Sequence, residues 1–73
     1  MVSIYATRFS ENLKLLLKEN NLSVREFAKK VEVPSQTINR YILCQREIKI
    51  EYLCKIADYF NEDIDVLIGR KEF

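Results

Sequence analysis

The side chains best suited to forming hydrogen bonds of defined geometry cluster in one short run, Ser35-Gln36-Thr37-Ile38-Asn39-Arg40. Gln36 can donate and accept together, which matches the N6 and N7 edge of adenine. Arg40 carries the rigid fork that matches guanine O6 and N7. Ser35 and Thr37 offer hydroxyls to a base or a phosphate, and the Thr37 methyl suits thymine. Asn39 can serve either a base or a phosphate. Catalytic chemistry is poorly supplied by comparison. The chain has no His, so it lacks the commonest general base, and it has no Gly-rich phosphate loop. Two cysteines, Cys44 and Cys54, with no His cannot complete a four-ligand zinc site, and they are too few for a disulfide framework. No cofactor, metal or small-molecule substrate is expected, and an enzyme is not.

Such a run does its work only if a helix presents it. Seventy-three residues make a single domain, 1–73, near the lower size limit for independent folding. Helical spacing pervades the chain. A first helix is predicted from about Arg8 to Asn20, with Phe9, Leu13, Leu16 and Leu17 on one face and a stop at Asn20-Asn21. A second starts at Ser23, where Ser23 and Glu26 have the spacing of a capping box and Leu22 can staple against Phe27. Its inward residues are Phe27, Ala28 and Val31, and it ends near Val31. Pro34 opens the third, Ser35 to Leu43, which turns Ile38, Tyr41 and Ile42 inward and the hydrogen-bonding run outward. Tyr41 is read as a packing residue and not as a base-stacking one. After a loop from Cys44 to Lys49 comes a fourth helix, Ile50 to Phe60, with Leu53, Ile56, Ala57 and Phe60 buried. Cys54 is expected in that core. Asn61 ends the fourth helix. Asp63 caps a short fifth, Ile64 to Ile68, closed by Gly69.

The second and third helices fit a helix-turn-helix over about residues 24–43. Phe27, Val31, Val33, Ile38 and Tyr41 fill the inward places. Ala28 stands where the two helices come closest. Glu32 falls at the turn position that wants a left-handed backbone, where Gly would be cheaper by about 1 kcal/mol.

With those positions in place, the chain resembles the Cro/repressor-like, or XRE, family of bacterial and phage transcription regulators from about Phe9 to Gly69. The matching pieces are Leu22-Ser23 leading into Phe27-Ala28, Val33 with Thr37 to Tyr41, Leu53 to Ala57, and Asp65 to Gly69. The resemblance implies an all-α, compact five-helix lambda-repressor-like fold. It also implies sequence-specific binding of a double-stranded DNA operator by a homodimer, with the third helix in the major groove, and transcription regulation, with repression the expected outcome. Base readout is then expected from Ser35, Gln36, Thr37, Asn39 and Arg40. Phosphate contacts are expected from Ser23, Arg25, Gln45, Arg46 and Lys49. An alternative is a protein-interaction module, such as the antitoxin of a toxin–antitoxin pair.

Four positions depart from the family pattern: Val24 replaces a Gln, Leu17 an Arg, Ile42 a Glu and Cys44 a Gly. In relatives the Arg and Glu pair in the interior, so Leu17 and Ile42 are expected to touch as an apolar substitute. Cys44 implies a strained or reshaped end to the third helix.

Charge supports the same orientation. Through Lys49 the chain holds nine Lys/Arg against five Glu; from Glu51 onward it holds three against six Asp/Glu. The net +1 therefore hides a basic region suited to a polyanion and an acidic end turned away. No signal-like start and no apolar run near the ~20 residues of a membrane span are present, which predicts a cytoplasmic protein with no membrane contact. Dimer contacts are expected from Ile4, Tyr5, Phe73 and at least one of Val66, Leu67 and Ile68, the last three being apolar in succession.

Overall fold

The computed structural model describes residues 2–72. Five α-helices follow one another: α1 (Ile4–Glu19), α2 (Val24–Val31), α3 (Ser35–Ile42), α4 (Ile50–Phe60) and α5 (Ile64–Leu67). No strand occurs among the described residues. The all-α, five-helix expectation holds, and the bounds of α2, α3 and α4 fall within one residue of those read from the sequence.

The first helix begins a full turn earlier than its apolar spacing suggests. The Ser3 hydroxyl accepts from the Ala6 N–H at 3.2 Å and caps α1 before Ile4. Ile4 and Tyr5 are exposed, so this turn carries no inward stripe apart from the buried Ala6. Periodicity therefore could not mark it. At the other end Asn20 caps the helix and Asn21 takes φ 54°.

Phe9, Leu13, Phe27, Ile38, Ile56 and Leu67 are fully buried and draw all five helices onto one core. Phe27 stacks on Phe60 with centroids 5.2 Å apart and meets Tyr59 edge-on. Phe9 meets Tyr41 edge-on at 5.6 Å, joining α1 to α3. Leu22 is half-buried against this cluster, as a staple residue should be. Cys54 departs from expectation: it is only half-buried, on the border of the α4 stripe.

The α5 segment also differs. Val66 and Leu67 are buried and Ile68 is half-buried, so none of the three stands fully outward. The Asn12 amide explains this, since it donates to the carbonyls of both Val66 and Leu67 at 3.0 Å and pins the segment under α1. Ile68 caps the helix, one residue earlier than predicted. Gly69 follows at φ +81°, where a Cβ would lie 2.7 Å from Arg8 Cγ. Phe73 lies outside the described residues.

Leu17 is buried in the core, and Ile42 is half-buried against that core. What fixes the end of α3 on α1, however, is polar. The buried Ser10 hydroxyl donates to the Ile42 carbonyl at 2.7 Å. Ser10 is two turns, about 10 Å, from Leu17 along α1.

Candidate nucleic-acid interface

Two helices joined by three residues must turn sharply, and the chain does so at Glu32, whose φ of 57° and ψ of 45° are left-handed. The position anticipated for that conformation therefore adopts it without glycine. Val33 is buried beneath the turn, and its N–H donates to the Ala28 carbonyl at 3.1 Å. Pro34 precedes α3, whose first turn has no side-chain cap. The N–H groups of Ser35 and Gln36 are thus left free at the positive end of the helix dipole.

Ile38 and Tyr41 face the core, and this sets the roll of α3. Ser35, Gln36 and Asn39 are consequently exposed, while Thr37 and Arg40 are half-exposed. Gln36, Asn39 and Arg40 follow the three- and four-residue spacing of a single helix face. Every expected base-reading side chain on α3 therefore reaches solvent.

The expected phosphate contacts separate into groups. Arg25 and Ser35 line a shallow groove between α2 and α3 together with Lys29, Ala28 and Val33. Lys29 had not been anticipated, although its four-residue spacing from Arg25 places it on the same face of α2. On the other side of α3, Thr37, Arg46 and Lys49 line a second depression with Tyr41 and Tyr52. The Lys49 N–H donates to the Tyr41 hydroxyl at 3.2 Å, and its ammonium lies 5.1 Å from the Tyr52 ring centroid. Tyr52 is a second residue that sequence reasoning missed, because its role comes from contact with Lys49. The first turn of α4 has no side-chain cap, leaving free N–H groups beside Lys49. Gln45 is exposed at the end of α3, its N–H bound to the Arg40 carbonyl at 2.9 Å.

Ser23 joins neither group. Its hydroxyl accepts from the Glu26 N–H at 3.1 Å, and its own N–H donates to the Glu26 carboxylate at 3.2 Å, completing the expected capping box. The Ser23 O–H remains available as a donor, but an anionic neighbour stands beside it. Hydrogen bonds from the Ser23 backbone and side chain, with the charge of Lys30, hold the Glu26 carboxyl below its ordinary 4.5.

Most of the cations are free of ion pairs among the described residues, Lys14, Lys18, Lys30 and Lys55 as well as those beside α3. The three ion pairs among the described residues are Arg8–Glu11, Arg70–Asp65 and Lys71–Asp63. All lie on α1 or in the C-terminal segment. Arg25, Lys29, Arg40, Arg46 and Lys49 have no carboxylate within 4.0 Å among the described residues. Their charges are unspent toward a polyanion. No cluster of metal-ligating side chains occurs among the described residues. No described helix is long and apolar enough to cross a membrane.

The left-handed turn at Glu32, the inward Ile38 and Tyr41 and the solvent-facing polar run define a helix-turn-helix domain. The helix-turn-helix family model matches residues 13–67. The chain belongs to that family, in its Cro/repressor-like, or XRE, branch, with a lambda-repressor-like five-helix fold. It is also similar to a solved transcriptional regulator from Listeria innocua, at 34% identity and a TM-score of 0.77 over 89% of this chain. The match spans 61% of that chain's length. No curated protein matches.

Proposed function

We propose that this domain binds double-stranded DNA in a sequence-specific manner and regulates transcription in the cytoplasm, without enzymatic activity. The observation that carries the reading is the pairing of an exposed, hydrogen-bonding α3 face with unpaired cations on both its flanks. Helix α3 enters the major groove. Gln36, Asn39 and Arg40 meet base edges, and Ser35 and Thr37 serve the margin between bases and phosphates. Arg25 holds the phosphates on one side. Gln45, Arg46, Lys49 and the uncapped start of α4 hold those on the other. Ser23 contributes through its free O–H and is the weakest of the set, given Glu26 beside it.

Repression follows if the operator overlaps the polymerase site. A single domain contacts only a half-site, so the binding form is a homodimer spanning about one helical turn. The dimer surface cannot draw much on α5, whose Val66 and Leu67 are buried. Ile4, Tyr5, Leu43 and Ile50 are instead the most exposed large apolar side chains among the described residues, with 48–70% of their surface open to a second copy.

The test is selection of duplexes from a random pool, followed by fluorescence anisotropy on the selected duplex and its scrambled counterpart over a range of salt. A preferred duplex, bound with an affinity that falls steeply as salt rises, supports the reading. Failure to bind any duplex at low salt would refute it and favour a protein partner.

A further inference from the structure

The exit of α3 is gripped by a polar stripe on α1. Ser3, Thr7 and Ser10 are spaced four and three residues apart, which places them on one helix face. Each meets a different residue of the exit. The Ser10 hydroxyl donates to the Ile42 carbonyl at 2.7 Å. The Thr7 hydroxyl lies 3.5 Å from Cys44 Sγ. Ser3 donates to the Glu47 carboxylate from both its backbone N–H and its hydroxyl, the latter at 2.8 Å.

These contacts reach the parts that must be oriented for reading DNA. Ile42 is the last residue of α3, and its carbonyl is among those that a helix end leaves without an intrahelical partner. Glu47 lies between Arg46 and Lys49 and lines the same depression. A free carboxylate there would repel phosphate. Held at the capped start of α1, it faces two N–H or O–H donors and the positive end of a 16-residue helix. The loop bearing the two cations is thereby tied to the body of the domain 44 residues away in sequence.

We propose that Ser3, Thr7, Ser10 and Glu47 are positioning residues that set the pose of α3 and its exit loop, and through that pose the strength of sequence discrimination. None of them touches a base. The inference rests on the DNA-binding reading above.

The readout is the ratio of affinities for the selected duplex and its scrambled counterpart, measured by anisotropy on the full chain. Loss of folded protein weakens both affinities equally, so it leaves this ratio unmoved. Ser10→Ala is expected to lower the ratio about 3- to 10-fold, the effect of losing one hydrogen bond's orientation. Glu47→Gln is expected to tighten binding to the scrambled duplex, because a negative charge is removed, while lowering the ratio. Wild-type ratios in both variants would overturn the positioning role. An absence of preference in the wild type would overturn the DNA-binding reading, and this inference with it.

Discussion

Glu32 and Cys44 are the residues at which side-chain identity and backbone demand conflict most plainly. Both adopt left-handed φ, 57° and 56°, and both lack the conformational freedom of glycine. That conformation costs an L-residue about 1–2 kcal/mol. Glu32 is exposed, and only its backbone is engaged among the described residues: its N–H donates to the Ala28 carbonyl and its carbonyl accepts from Lys55 at 3.5 Å. Glu32→Gly should therefore stabilise the domain by about 0.5–1 kcal/mol after the entropy cost of glycine, raising Tm by a few degrees in a calorimetric or circular dichroism melt. Cys44→Gly relieves the same strain but also removes the thiol that meets Thr7, so its gain should be smaller. The left-handed turn at Glu32 was legible from its place in the motif. The strained alternative for Cys44 proves correct, but the thiol's contact with Thr7, 37 residues away, could not be read from local spacing.

Elements were legible to the extent that they bury a stripe. The spacing of Phe9, Leu13, Leu16 and Leu17 marks the face of α1 that the core covers, and Phe27, Ala28 and Val31 do so for α2. The first turn of α1 has almost no such stripe and is held by Ser3, whose cap and contact with Glu47 leave no period in the sequence. Cys54 matches the α4 pattern by type, yet its place at the border of the buried arc leaves it half-exposed. Within the interface, the solvent-facing residues of α3 could be inferred once Ile38 and Tyr41 were turned inward. The division of the cations into two grooves depends on tertiary contacts and could not be. The capping box on α2 makes the start of that helix a testable unit. Ser23→Ala should cost about 1 kcal/mol of stability, seen as a lower melting temperature. Glu26 adds a pH dependence. Its folded pKa lies below the ordinary 4.5, so its contribution is fully present above pH 4.5 and is lost as pH falls through the folded value. Asp63, lowered from 3.8 by hydrogen bonds from the Lys71 ammonium and the Asp65 backbone, acts in the same direction. Lys71 is raised from 10.5 by Asp63, so its share is present below pH 10.5 and is lost as pH rises through the folded value. Thermal melts should therefore show stability declining below about pH 4.5, and Ser23→Ala should flatten that decline.

For the whole molecule, the small size makes the core the controlling quantity. Phe27 is fully buried between the aromatic rings of α4, and its loss opens a cavity at the junction of α2 and α4. Phe27→Ala should cost about 3–5 kcal/mol. A domain of this size has a total stability in the lower part of the ~5–15 kcal/mol range. Denaturant titration should accordingly find the variant largely unfolded or close to it. Charge also matters at this scale: among the described residues the cations flanking α3 carry no ion pair, as is true of Lys14, Lys18, Lys30 and Lys55 elsewhere. Cations without carboxylate partners beside the proposed DNA-facing surface predict steep salt dependence of binding. The most direct test of that proposal compares wild type with Arg40→Ala on the selected duplex and on variants of it with each base pair substituted in turn. If α3 reads bases, Arg40→Ala should weaken the selected duplex and abolish discrimination at one base pair, worth about 1–3 kcal/mol, while discrimination elsewhere persists. Uniform weakening across all the duplexes, with every base preference retained, would contradict a base-reading role for Arg40 and with it the proposed seat of α3 in the major groove.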